Sequence, residues 1–143
     1  MIALDTNLLV YAHRPEAHFH TQAAGLIAQL IAQNKSWGIP FHCIVEFAAV
    51  TSNRKLWIEH SSPEAIVDQV NAWCELPRVR VLGDDAGAWA YFAKVLVAAR
   101  PTGGGVHDAR IASCCLSHGV TELLTVDRDF SRYPELRTRN PFR

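Results

Sequence analysis

Ile2-Ala3-Leu4-Asp5 starts the chain as a short apolar run that ends in a carboxylate. Leu123-Leu124-Thr125-Val126-Asp127 repeats the pattern near the other end. Each reads as a buried strand with an acid at its carboxyl end. Working outward, Trp37–Ile39, stopped by Pro40, and Val79–Leu82 are two more strands. Thr138–Asn140 is a fifth, at an edge and closed by Pro141. Helical spacing fills the gaps. Phe19, Ala23, Leu26, Ile27, Leu30 and Ile31 predict an amphipathic helix over residues 16–33, and Cys43–Val50 predicts a second. Ser62-Pro63-Glu64 carries a cap, a first-turn proline and an early acid, with Ile66, Val67, Val70, Trp73 and Cys74 as the buried stripe. Asp84 or Asp85 caps the next helix, whose stripe is Trp89, Phe92, Ala93, Leu96 and Val97. A Thr102-Gly103-Gly104-Gly105 loop leads into a helix over residues 106–118, stopped by Gly119. Strands separated by helices imply right-handed crossovers, hence an α/β fold with a mainly parallel sheet flanked by helices. Ligands of such sheets bind beyond the carboxyl ends of the strands.

The 143 residues suit one domain, 1–143, with 49% apolar and 20% charged residues, a balance that excludes disorder. No apolar run is long enough to span a bilayer, so no membrane partner is expected. Fourteen basic residues balance fourteen acidic ones, which argues against a general nucleic-acid coat but leaves room for a local basic rim. Four cysteines without a CxxC pair read as reduced thiols, and the start of the chain has no signal-peptide pattern; a cytoplasmic location is expected.

Four acids stand where a core is expected. Asp5 and Asp127 end strands, and each by itself is explained as a cap for the following helix or turn. Glu46 is the only ionisable side chain between Cys43 and Val50 and shares a helix face with Cys43, Phe47 and Val50. An uncompensated charge there is costly, so it needs a salt-bridge partner, a proton or a cation. Asp108 lies on the face of Ile111, Ala112 and Cys115, in the first turn, where the helix dipole favours an anion. If all four converge, their repulsion calls for a hard divalent ion, Mg²⁺ or Mn²⁺, and such ions hydrolyse phosphodiesters.

The motifs Leu4-Asp5-Thr6-Asn7, His107-Asp108-Ala109-Arg110, Leu124-Thr125-Val126-Asp127-Arg128-Asp129-Phe130 and the isolated Glu46 resemble the PIN domain over essentially the whole chain. A free-standing domain of this size resembles the VapC toxins of VapBC toxin–antitoxin pairs. The resemblance implies a three-layer PIN-like fold and a Mg²⁺- or Mn²⁺-dependent endoribonuclease acting on tRNA or rRNA. It also implies a homodimer and a VapB-type antitoxin. Position by position, Asp5, Glu46, Asp108 and Asp127 match the family's catalytic acids, with Asp5, Asp108 and Asp127 as metal ligands. Asn7 and Thr125 match supporting positions. Asp129 reads first as a turn cap and second as a further acid. Arg14, Arg110 and Arg128, with Arg54 and Lys55, are candidate RNA contacts.

Competing readings are a metal-dependent phosphatase and a non-catalytic PIN-like binding module. The first lacks the second acid of a D-x-D after the opening strand, because Asn7 stands there. A zinc site at Cys114, Cys115 and His118 lacks a second ligand pair.

Overall fold

A computed structural model describes all 143 residues. Five strands, β1 (Ile2–Leu4), β2 (Trp37–Pro40), β3 (Val79–Leu82), β4 (Glu122–Leu124) and β5 (Thr138–Arg139), form one sheet. Its order is β3-β2-β1-β4-β5 and every neighbouring pair is parallel. The order reverses at β1, between β2 and β4. The ends of β1 and β4 are therefore adjacent, with Leu4 opposite Leu124, at the switch point where a parallel sheet opens a crevice. Gly38 of β2 is required by close approach: a Cβ there would meet Leu82 Cδ1 at 2.8 Å.

Six helices cover the sheet: α1 (Thr6–His13), α2 (His20–Ala32), α3 (Phe41–Thr51), α4 (Pro63–Cys74), α5 (Ala88–Ala99) and α6 (Gly105–Ser117). The expected α/β fold class stands. Ser62 caps α4 by accepting from Ala65 N at 3.1 Å, and Gly119 leaves α6 with a left-handed φ of 66°. One core joins Leu4, Leu8, Leu9, Ile39, Phe47, Ile111, Leu123 and Phe130 from both faces of the sheet.

Several expectations are corrected. Thr6–His13 forms a helix that no pattern in the sequence predicts. Its run Leu8-Leu9-Val10 is buried throughout, so no polar face marks the helical period. The helix expected from residue 16 starts at His20. Residues 15–19 form turns, and Phe19 leaves the α2 stripe to stack on Phe142 at 4.9 Å. Ile31, Val67, Cys74, Trp89 and Val97, counted as buried stripe residues, are exposed. Asp85 does serve the start of α5, accepting from Gly87 N at 2.8 Å, whereas Asp84 pairs with Arg110 instead.

Candidate metal centre and active-site cleft

The carboxyl ends of β1 and β4 build the centre of the site. Asp5, the first residue after β1, caps α1: its Oδ1 accepts from Thr6 N at 2.8 Å. The same oxygen faces the Cys43 thiol at 3.8 Å, and Oδ2 accepts from Asn7 Nδ2 at 2.7 Å and from Thr125 Oγ1 at 2.6 Å. The side chain is 4% exposed and no cation pairs with it, so burial pushes its pKa up to about 6, against the opposing effect of those donors. Thr125 Oγ1 in turn accepts from Asp127 N at 2.9 Å, and Asp127 Oδ1 accepts from Asp129 N at 2.8 Å. Asp5 and Asp127 are thus both caps and members of one site.

Glu46 projects from α3. Thr6 Oγ1 donates to its Oε2 at 2.6 Å, and Oε1 lies 3.6 Å from His42 Nε2. No arginine or lysine pairs with it, so the expected alternative of an arginine salt bridge is absent. Asp108 comes from the first turn of α6. Burial, and then the charges of Asp127, Glu46 and Asp129, push its pKa up to about 6. Asp5, Glu46, Asp108 and Asp127 line one open cleft of about 470 Å³, walled by Val10, Tyr11, Val50, Trp57 and Phe130.

The tightest cluster is Asp108, Asp127 and Asp129, with one carboxylate oxygen from each lying within 4.8 Å of the others. Asp129, read first as a turn cap, therefore joins the acids, and Asp5 sits behind them with its oxygens already holding four donors. None of Asp5, Asp108, Asp127 and Asp129 forms an ion pair with a basic side chain. An all-oxygen donor set without counter-charge fits a hard divalent cation, and does not fit a soft metal.

Two features escaped the sequence reading. Thr6 lies inside the quoted motif without an expected role, yet it ties the start of α1 to Glu46 of α3. His42, Arg110 and His107 form a network on the rim. Arg110, an obligate donor, gives a hydrogen bond to His42 Nδ1 at 3.0 Å. His42 therefore carries its proton on Nε2, which faces His107 Nδ1 at 3.2 Å, and the two rings stack with centroids 5.1 Å apart.

The candidate RNA contacts separate. Arg14 is buried, at 8% exposed: its guanidinium donates to Ser61 Oγ at 2.9 Å, pairs with Glu16 and lies 4.7 Å over the Trp57 ring. Its two terminal nitrogens are engaged within the fold, while Nε is buried without a hydrogen-bond partner. Arg110 is engaged by Asp84 at 2.9 Å and by His42. Arg128, Arg54 and Lys55 are exposed and unpaired. Cys114, Cys115 and His118 do not converge: Cys114 faces Leu82 O and His118 faces Gly83 O.

An acid cluster at the switch point of a five-stranded parallel sheet, built from an early D-T-N and a late T-x-D-x-D, defines a class of protein. The PIN domain family model matches residues 2–136, and this chain belongs to the PIN-domain family. Within it, the chain is 30% identical over 141 residues to the VapC ribonuclease Mb2897 of Mycobacterium bovis, covering 99% of this chain and 95% of that protein. The fold is shared with VapBC2 from Rickettsia felis, solved bound to a promoter DNA fragment (TM-score 0.69, 22% identity, 98% of each chain). It is also shared with Mycobacterium tuberculosis VapC20, described as a sarcin-ricin loop cleaving toxin (TM-score 0.68, 18% identity, 92% of this chain and 93% of that one).

Proposed function

We propose that this protein is a Mg²⁺- or Mn²⁺-dependent endoribonuclease and the toxin of a VapBC-type pair. The observation that carries the reading is the convergence of Asp5, Glu46, Asp108 and Asp127 on one open cleft without a paired arginine or lysine. Relatives named VapC ribonucleases along nearly the full chain support the substrate class. Asp108 and Asp127 would hold the ion directly, Asp129 is close enough to join them, and Asp5, set behind them with its oxygens already engaged, would act on it through water. When bound, the divalent ion supplies Lewis-acid activation of water and neutralises charge on the phosphoryl oxygens.

The chain's own residues do the rest. Thr125, Asn7 and the Thr6 amide fix both oxygens of Asp5, so its orientation does not depend on ligand. Thr6 holds Glu46 in the cleft wall, where its carboxylate orients the attacking water and takes up a proton. Water adds to phosphorus as one of its protons passes to Glu46, the P–O3′ bond breaks, and the departing O3′ takes a proton from solvent in the open cleft. Products therefore carry 5′-phosphate and 3′-hydroxyl ends, and the 2′-hydroxyl is not the nucleophile.

The partner supported by the related VapBC assemblies is a VapB-type antitoxin. Exposed Leu56 and Ile58 flank Trp57, which lines the cleft, and offer apolar area for such a segment. The unpartnered Trp89, Tyr91 and Val97 of α5 supply area for a homodimer. No helix is long and apolar enough to cross a membrane, and the reading places the protein in the cytoplasm. The deciding experiment incubates purified protein with total RNA and Mn²⁺ and maps new 5′ ends, with Asp5→Asn as control. Ligatable 5′-phosphate ends that vanish in Asp5→Asn are expected. Products ending in 2′,3′-cyclic phosphate, or an active Asp5→Asn protein, overturn the mechanism.

A further inference from the structure

The acids that make the cleft also repel a polyanionic substrate, and the net charge of the chain is zero. Attraction for RNA has to come from a local concentration of positive charge, and the fold contains one beside the acids. A second cavity of about 390 Å³ opens at the same edge of the sheet, lined by Arg128, Ser131, Thr138, Arg139, Asn140 and Arg143. Asp127 lines both this groove and the acid cleft, so the two adjoin across its side chain. The parallel register explains the placement. Leu124 lies opposite Arg139, and Thr125 N donates to Arg139 O at 3.0 Å. The residues following β4 therefore carry the acids, and those at the end of β5 carry the basic wall.

We infer that this groove is the subsite for the RNA backbone next to the scissile phosphate, with Arg128 and Arg143 as its phosphate contacts; the inference rests on the ribonuclease reading. Arg128, Arg139 and Arg143 are all exposed. Arg139 shares Glu122 with Arg137, at 3.1 Å each, whereas Arg128 and Arg143 have no carboxylate within ion-pair distance. Unpaired guanidinium groups suit bidentate binding of phosphate oxygens. Ser131, Thr138 and Asn140 add the hydroxyl and amide groups that contact phosphate and sugar. Val126 is the one hydrophobic residue of the lining, so the groove suits a hydrated strand rather than an apolar peptide. A strand presenting one phosphodiester to Asp108 and Asp127 passes its adjoining phosphates through this groove, because Asp127 forms the wall between them.

The test measures binding apart from cleavage. Asp108→Asn protein in chelator is titrated with a fluorescein-labelled single-stranded RNA oligonucleotide across a salt series. Each phosphate contact contributes about 0.7 to the slope of log K against log salt for a single strand. Arg128→Ala and Arg143→Ala should each flatten the slope by about 0.7, the double variant by about 1.4, and Arg128→Lys should restore it. Arg78→Ala, which lies before β3 and bonds Asn34 away from the groove, should leave it unchanged. An unchanged slope in the double variant, or an equal loss in Arg78→Ala, overturns the subsite. RNA binding that survives while capture of the antitoxin is lost also overturns it, in favour of an acidic peptide as occupant. Wild-type cleavage with Mn²⁺ is measured in parallel. Intact groove binding with no cleavage counts against the nuclease reading alone, and cleavage with an unchanged slope counts against the subsite alone.

Discussion

The Thr125 hydroxyl donates to Asp5 Oδ2 at 2.6 Å, tying together the ends of two neighbouring strands that lie 120 residues apart in the chain. Its single proton is spent on Asp5, while its lone pairs receive Asp127 N at 2.9 Å and Asn7 Nδ2 at 3.2 Å. One hydroxyl therefore sets the position of two acids. Thr125→Val keeps the shape and removes all three hydrogen bonds. The expected result is a loss of about 1–3 kcal/mol in stability, typical of a buried polar group left unsatisfied. Cleavage should fall at least about tenfold, equivalent to about 1.4 kcal/mol at the transition state, because Asp5 and Asp127 lose the group that positions them. Thr125→Ser should retain most of both. Urea denaturation and single-turnover cleavage read the two effects.

Asp5 also makes stability depend on pH in a defined direction. Its carboxyl titrates near 3.8 in the unfolded chain and near 6 in the folded, metal-free protein. Between those values the folded state holds a proton that the unfolded state has released. Stability associated with this group is therefore full below about pH 4 and is lost as pH rises through about 6, by about 3 kcal/mol. Asp5→Asn lacks this titration. Its melting temperature in chelator should exceed that of wild type by an amount that grows from pH 4 to pH 7. A constant difference across that range would contradict the assignment.

Asp108 has its pKa raised for a partly different reason, since three neighbouring carboxylates add to its burial. Asp108→Asn relieves that repulsion, so the metal-free variant should melt above wild type at pH 7.5. Adding Mn²⁺ should raise the melting temperature of wild type and leave Asp108→Asn nearly unmoved. Cleavage by the variant should be lost. Equal stabilisation of both proteins by Mn²⁺ would place the ion elsewhere.

His42 has its tautomer dictated by Arg110, which donates a hydrogen bond to the unprotonated Nδ1 and leaves Nε2–H to face His107 and Glu46. Arg110→Met removes that constraint and also frees Asp84. The ring nitrogen shifts of His42 should show the Nε2–H form in wild type and a mixture in Arg110→Met. A several-fold fall in kcat with little change in KM should accompany it, because Glu46 loses a fixed neighbour.

Much of the architecture was legible from local pattern. The five strands, the Ser62 cap, the Gly119 stop and the acid directly after β1 all follow from runs, periods and punctuation along the chain, whereas β4 ends at Leu124, so Asp127 stands three residues beyond it rather than directly after it. What escaped reading was set by groups distant in sequence. Helix α1 shows no amphipathic period because its Leu8-Leu9-Val10 run is buried throughout. Arg14 looks like any exposed arginine until Ser61, Glu16 and Trp57 close over it.

The sequence by itself determined that this is a parallel α/β chain carrying isolated acids in apolar surroundings, since burial and strand polarity are written in neighbouring residues. Only the tertiary structure decided that Asp129 joins Asp108 and Asp127, that Thr6 and Thr125 hold the carboxylates, and that Arg110 is taken by Asp84 while Arg128 stays free. Which charge meets which partner depends on a few ångströms between segments that are far apart along the chain. That distance is set by packing across the whole sheet, and no local pattern encodes it.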